Sequence, residues 1–313
     1  MSDPRDRHAA PREPVVPTGP STIDLHTHTL RSDGTLEPAE LVRQAAAAGV
    51  RTLSIADHDN LAAYRELTAQ GAPALPAGLT LVPGVEINCL TGSQPDIFEG
   101  ELHILGYGVL TDDEAFEAIL LRQRQGRRIR FERTLAILRE SGAPVDAAAE
   151  QLDLTVTESL GRPTVARLMI ASGHVTSVED AFKRWLGRGC PAYVPREGIG
   201  PVRAISAIRA AGGLPVLAHF GEAEAHESLL RDLQAIGLGG LEVYYRTFDR
   251  SRVVSVGRVA DELGLVKTGG SDFHGDTGPY ATIHAATWVP PAVGERLLNA
   301  LARWSEPAGI AHD

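Results

Sequence analysis

Seven short apolar runs, separated by stretches with helix signals, constrain the fold of this chain more than any other feature. They are Thr22 to His26, Arg51 to Ala56, Leu81 to Ile87, Glu101 to Tyr107, Leu214 to His219, Gly240 to Tyr245 and Leu265 to Ser271, each of a length suited to a buried strand. Glu37-Pro38 opens a helix that Gly49 closes, Pro201 opens another that stops at Gly212-Gly213, and Asp249 precedes an apolar-periodic stretch to Leu263. Helices between strands impose right-handed crossovers, so the pattern predicts an α/β fold with a mostly parallel sheet, open or closed into a barrel.

The alternation stops between about residues 111 and 197, where helix signals continue without a convincing strand. We expect one barrel built from 21–110 and 198–313, with 111–197 as an inserted helical subdomain covering its mouth. The insertion should hold a long helix from Asp112 to Glu140, a second from Arg162-Pro163 to near Gly173, and a third capped by Ser177, with Asp180 three residues on. Residues 1–20 mix prolines with charges and read as a flexible tail.

Composition narrows the class. With 43% hydrophobic residues the chain cannot be disordered throughout, and no run of 18 apolar residues predicts a membrane span or signal peptide, so a cytoplasmic protein is expected. Cys89 and Cys190 fit neither a disulfide framework nor a paired-cysteine zinc site. A formal charge of −10 repels long nucleic acid, so an anionic substrate must find its cations at the site itself.

Of eleven histidines, six lie at or just beyond the ends of the candidate strands: His26, His28, His58, His103, His219 and His274. In a βα barrel the loops leaving the strand ends converge on one mouth, so these residues should meet. Asp33, Asp57, Asp59, Glu86 and Asp272 accompany them. Imidazole and carboxylate together are the ligand set of Zn, Mn or Fe, and His26 and His28, two apart on a strand, can face one ion. Asp57 and Asp59 either orient His58 or form the turn after the strand; His8, His226, His284 and His312 read as surface residues.

The segments IDLHTHTLRSDGTLEPAELVRQAAAAGV, LSIADHDN, GVEI, ELHILGYGV, VLAHF, GLEVYY and TGGSDFHG resemble, in order and spacing, the polymerase-and-histidinol-phosphatase (PHP) family of metallophosphoesterases. The pattern GRP…A…GH…S…AF…LG.G.PAYVP is similar to the family's branch with a helical insertion, which hydrolyses nucleotide phosphates or short oligoribonucleotides. The resemblance implies a distorted (β/α)7 barrel and two or three divalent ions (Mn, Fe or Zn). It assigns His26, His28, Glu86 and Asp272 to one ion, His103 and His219 with a bridging Glu86 to a second, and Asp33, His58 and His274 to a third. Asp33, His58, Asp272 and His274 take the catalytic assignment, in hydrolysis of a phosphoester by a metal-bridging hydroxide.

For the substrate, the resemblance implicates Arg162, while Arg130, Arg133, Arg188 and Arg196 are further candidate phosphate contacts. The other arginines from Arg122 to Arg128 fall on several sides of their helix and read mainly as a solvated face. Relatives carry Gly-Arg-Pro-His where this chain has Gly161-Arg162-Pro163-Thr164, which puts Thr164 at a phosphate-contacting position without an imidazole. Around Ala218-His219-Phe220 and Tyr245-Arg246-Thr247-Phe248 the chain departs from the family as well. The expectation is a phosphatase for a nucleoside 3′,5′-bisphosphate or 5′-monophosphate, with no long nucleic acid, membrane or obligate protein partner. The alternatives are a 5′-to-3′ exonuclease on short oligoribonucleotides and a non-catalytic metal-binding module.

Overall fold

All seven apolar runs form strands in a computed structural model that describes residues 21–91, 101–154 and 156–304. These are β1 (Ile23–Asp24), β2 (Thr52–Ile55), β3 (Thr80–Leu90), β4 (Glu101–Tyr107), β5 (Leu214–Leu217), β6 (Gly240–Tyr245) and β7 (Val266–Gly270). The strands pair in chain order into one sheet. Leu25 N donates to Gly269 O, and Thr27 bridges Phe273, so β1 meets β7 and the sheet nearly closes into a barrel. β2 and β5 are buried along their whole length, which is why they read as continuous apolar runs rather than alternating ones. The expected tail, 1–20, lies outside the described residues.

The sheet is mostly parallel, but β4 runs antiparallel to both β3 and β5. Too few residues separate β3 from β4 to hold the crossover helix that a parallel pair needs. This reversal relocates a predicted site residue. His103 is near the amino end of β4, and it reaches the barrel mouth because that strand points the other way, pairing His103 with Asn88.

Helices α1 (Pro38–Ala47) and α2 (Ala62–Thr68) pack outside β1 to β3, with Pro38 in the first turn where its missing N–H costs nothing. Between β4 and β5 lie α3 (Glu114–Glu140), α4 (Asp146–Ala149), α5 (Arg162–Ala171) and α6 (Val178–Ala181), which runs on into a π-helical turn over Phe182–Leu186. Asp113 caps α3 and Ser177 caps α6, while the Asp180 carboxylate accepts from Thr176 N. These helices bury an apolar cluster of their own, including Phe131, Leu138, Leu160, Met169 and Leu186. The chain returns through α7 (Pro201–Ala210), α8 (Glu227–Ala235), α9 (Arg250–Glu262), α10 (Tyr280–Ala285) and α11 (Ala292–Trp304) around the barrel.

The expectation of a surface His284 is corrected. On α10 it is buried, with Nε2 2.8 Å from Ser21 O and Nδ1 3.4 Å from the buried Asp24 carboxylate. Asp24 also accepts from Ser271 and Tyr280, so this network ties the start of β1 to the end of β7, where the sheet closes. No helix among the described residues is long and apolar enough to cross a membrane.

Candidate functional site

The nine sequence-predicted ligands converge at one end of the barrel around Glu86, on β3. Its Oε2 lies 3.4 Å from His26 Nε2, 3.3 Å from His28 Nε2 and 3.0 Å from His58 Nδ1. Its Oε1 lies 2.8 Å from His103 Nδ1 and 3.3 Å from His219 Nε2. Asp272 Oδ1, just past β7, is 3.5 Å from His26 Nε2 and 3.1 Å from His28 Nε2. Asp33 faces His274 Nε2 at 3.3 Å and His58 Nε2 at 3.7 Å.

Three sets have donor atoms close enough to surround one ion each: His28, Asp33, His58 and His274; His26, His28 and Asp272; and His58, Glu86 and His103. The donor atoms fit metals in a second way. His26 Nε2, both ring nitrogens of His28, Asp33 Oδ1 and His58 Nδ1 are buried with no hydrogen-bond partner. Each such orphan costs about 1–3 kcal/mol unless something satisfies it, and a divalent cation does so for several at once. Burial and the neighbouring His274 push His28 down to about 3, so its ring is neutral and its nitrogens are open to a cation. Burial opposes ionisation of Glu86, but His58, His103 and His26 hold its carboxyl well below the ordinary value.

Among the described non-glycine residues, Asp59, His219 and Asp272 adopt positive φ, at 52°, 35° and 47°. All three sit in the turns that carry the cluster, where strained backbone tends to be retained for function.

A supporting layer escaped the sequence reading. Glu242, fully buried on β6, lies 3.1 Å from His26 Nδ1 and accepts from His219 N at 2.8 Å. An acidic residue inside the otherwise apolar run Gly240 to Tyr245 was the available signal. Tyr245 donates to Asp272 Oδ2 at 2.8 Å. Asp57 does not orient His58; it accepts from Thr29 N, Thr29 Oγ1 and Ser32 Oγ, holding the loop that carries Asp33. Asp59 turns away from His58 as well, accepting from Arg127 Nε at 2.6 Å and Arg196 Nη2 at 2.9 Å.

A cavity of about 200 Å³ opens over the cluster, walled on its far side by Glu101, Arg127, Arg130, Gly161 and Arg162. Gly161 is essential for the close approach of α5, because a Cβ there would stand 2.3 Å from Asp33 Oδ2. Arg130 and Arg162 flank the Glu101 carboxylate at 3.7 and 3.9 Å. Burial, followed by the nearby Arg162, lowers Arg130 to about 10, so this wall carries more positive charge than Glu101 neutralises.

The structure does not bring the other substrate candidates to this lining. Arg133 is exposed and pairs with Glu197, Arg188 is exposed, Arg196 is buried against Asp59, and Thr164 is buried within α5. The arginine-rich part of α3 is less solvated than expected. Arg124 and Arg127 lie on its buried face, where Arg124 Nη1 donates to Asp59 O. His174, just beyond α5, has Nε2 2.8 Å from Pro144 O.

Orphaned imidazoles and carboxylates at the mouth of a βα barrel, beneath a cationic wall, define a metal-dependent hydrolase of anionic substrates. The family model described as the PHP domain matches residues 24–140. Over 260 residues the chain is 32% identical to a 3′,5′-nucleoside bisphosphate phosphatase of Chromobacterium violaceum, covering 81% of this chain and 87% of that protein. It is 33% identical over 258 residues to a 5′-3′ exoribonuclease of Haemophilus influenzae, covering 80% and 89%. A solved structure from Bifidobacterium adolescentis, described as a candidate metal-dependent phosphoesterase, superposes with a TM-score of 0.70 at 29% identity, covering 82% and 88%. The chain belongs to the PHP family and is a metal-dependent phosphoesterase.

Proposed function

We propose that this enzyme removes the phosphate from a nucleotide-sized phosphomonoester, a nucleoside 3′,5′-bisphosphate or 5′-monophosphate. The observation that carries this reading is the small cavity in which orphaned ligand atoms face Arg130 and Arg162 across a gap suited to one phosphoryl group. His26, His28, Asp33, His58, Glu86, His103, His219, Asp272 and His274 are the proposed ligands of two or three Mn, Fe or Zn ions. When bound, such ions supply Lewis acidity and a water that ionises near neutral pH.

The chain's own groups do the rest. Arg162 and Arg130 bind the phosphoryl oxygens by charge-assisted hydrogen bonds. Glu242 accepts a hydrogen bond from His26 Nδ1–H, which fixes the tautomer with Nε2 free as the ligand atom. Tyr245 keeps its proton, since burial beside Asp272 raises its hydroxyl well above the ordinary range, and uses it to fix the Asp272 carboxylate. Both cysteines are unpaired thiols, which suits a reducing compartment, the cytoplasm.

The test is phosphate release with Mn²⁺ from adenosine 3′,5′-bisphosphate, AMP and a 5′-phosphorylated dinucleotide, beside Asp272→Asn. Release from a mononucleotide that vanishes in the variant is the expected result. Preference for cleaving the dinucleotide linkage would replace this reading with the exonuclease.

A further inference from the structure

Beside the cavity over the histidine–carboxylate cluster lies a second one of about 390 Å³, and the two share His219 as a common wall. The second is formed where β5 and β6 end: Gly221 and Glu222 follow β5, Tyr245 ends β6, Thr247 and Phe248 follow it, and Asp249 and Arg252 open α9. We infer that this cavity is the nucleoside subsite, with Phe248 as the residue on which the base stacks; the inference rests on the nucleotide reading above.

Three observations converge on it. The aromatic wall is held rigid: Tyr245 packs against His219 at 5.4 Å between ring centres, its hydroxyl is committed to Asp272, and Phe248 stands edge-on to Tyr245 at 5.2 Å. Phe248 lies so close to Gly221 that a Cβ there would stand 3.0 Å from its ring, so the ring is clamped between backbone and tyrosine. It remains only partly buried while lining the cavity, which leaves ring surface for a ligand.

The charge of the lining then selects what enters. Glu222 and Asp249 outnumber Arg252, and the Asp249 carboxyl is held below its usual value, chiefly by the Arg252 backbone N–H. Arg252 itself donates to Gly221 O. A phosphate is repelled from such a lining, whereas an uncharged nucleoside is not. The cavity's volume falls within the range of small-molecule sites. A substrate whose phosphate sits under Arg130 and Arg162 thus extends past His219 with its base against Phe248. Stacking reads the face shared by all bases, so recognition should be tolerant of base identity. A second phosphate on that side, whether internucleotide or that of a bisphosphate, would meet Glu222 and Asp249, which favours the 5′-monophosphate.

The experiment compares AMP with ribose 5-phosphate, the same ester without a base, in Mn²⁺-loaded enzyme. The wild type should show a lower KM for AMP, and Phe248→Ala should erase that advantage by raising the AMP KM about 5- to 100-fold, with kcat little altered. Phe248→Trp should keep the advantage and thereby exclude a folding defect. An AMP-to-ribose 5-phosphate KM ratio equal in wild type and Phe248→Ala would overturn the inference. If neither ester is hydrolysed, the 5′-monophosphate form of the phosphatase reading fails by itself, and calorimetric titration with adenosine decides the subsite. Binding by wild type that Phe248→Ala abolishes supports it, and no binding by wild type overturns it.

Discussion

His28 and Arg162 stand on opposite walls of one cavity and are held there by different means. His28 is fully buried, its position set by the backbone beyond β1, where His28 N donates to Phe273 O across the closure of the barrel. Arg162 is partly exposed on the first turn of α5, an element joined to the barrel through side chains. Arg167 reaches Asp33 O at 2.7 Å, while Arg127 from α3 and Arg196 from the segment before α7 both close on Asp59. The proposed ligands at the barrel mouth therefore depend on strand order, and the cationic wall depends on a few buried ion pairs. Asp59 follows His58 directly, so the clasp that docks the helices also touches the loop of a proposed ligand.

The sharpest break in this comparison removes a proposed ligand and leaves the clasp intact. Asp272→Asn, or stripping metal with a chelator, should lower turnover by ~1000-fold or more, the equivalent of several kcal/mol of lost charge stabilisation. Steady-state kinetics check this, and restoration of the stripped wild type by added Mn²⁺ should follow. Next, Asp59→Ala leaves Arg127 and Arg196 buried and unpaired, and should cost about 3–5 kcal/mol of stability in denaturant unfolding. A midpoint equal to wild type would show that the clasp does not anchor the helices.

Glu242→Gln probes the layer behind the ligands. It should weaken Mn²⁺ binding by roughly 10- to 100-fold in calorimetric titration, because His26 loses the acceptor that orients it. On the opposite wall, Arg162→Ala should raise KM for a nucleotide about 10- to 100-fold through lost charge-assisted bonds, whereas the exposed Arg133→Ala should change it less than about twofold. Equal effects of the two would mean that the cavity lining does not define the phosphate site.

The smallest expected effect is a pH dependence. Burial raises the Glu101 carboxyl, but Arg162, Asn88 and Arg130 outweigh it and bring it from 4.5 to about 2. A carboxyl depressed on folding stabilises the native state fully above its unfolded value. That contribution should fade as pH falls from about 4.5 toward 2. Glu101→Gln should flatten the stability profile in this window, measured by thermal unfolding at stepped pH, and an unaltered slope would remove Glu101 from the balance of the wall.

The seven strands and the meeting of six histidines with their carboxylates were legible because they follow from local signals: apolar runs of strand length and polar residues at their ends. Glu242 was less legible, because one carboxylate within an apolar run reveals burial without naming its partner. From the sequence Asp59 reads as a partner of His58 or a turn residue and Arg127 as a solvated arginine, since nothing in the order of residues shows that α3 lays that face on the barrel. Chain order by itself determined which residues could reach the mouth, because strand succession and short loops permit few topologies. Only the tertiary structure decided the direction of β4, the burial of His284 and which arginines face the cavity. Those outcomes depend on packing between segments far apart in the chain, where the energy of a buried pair outweighs the local preference of either residue.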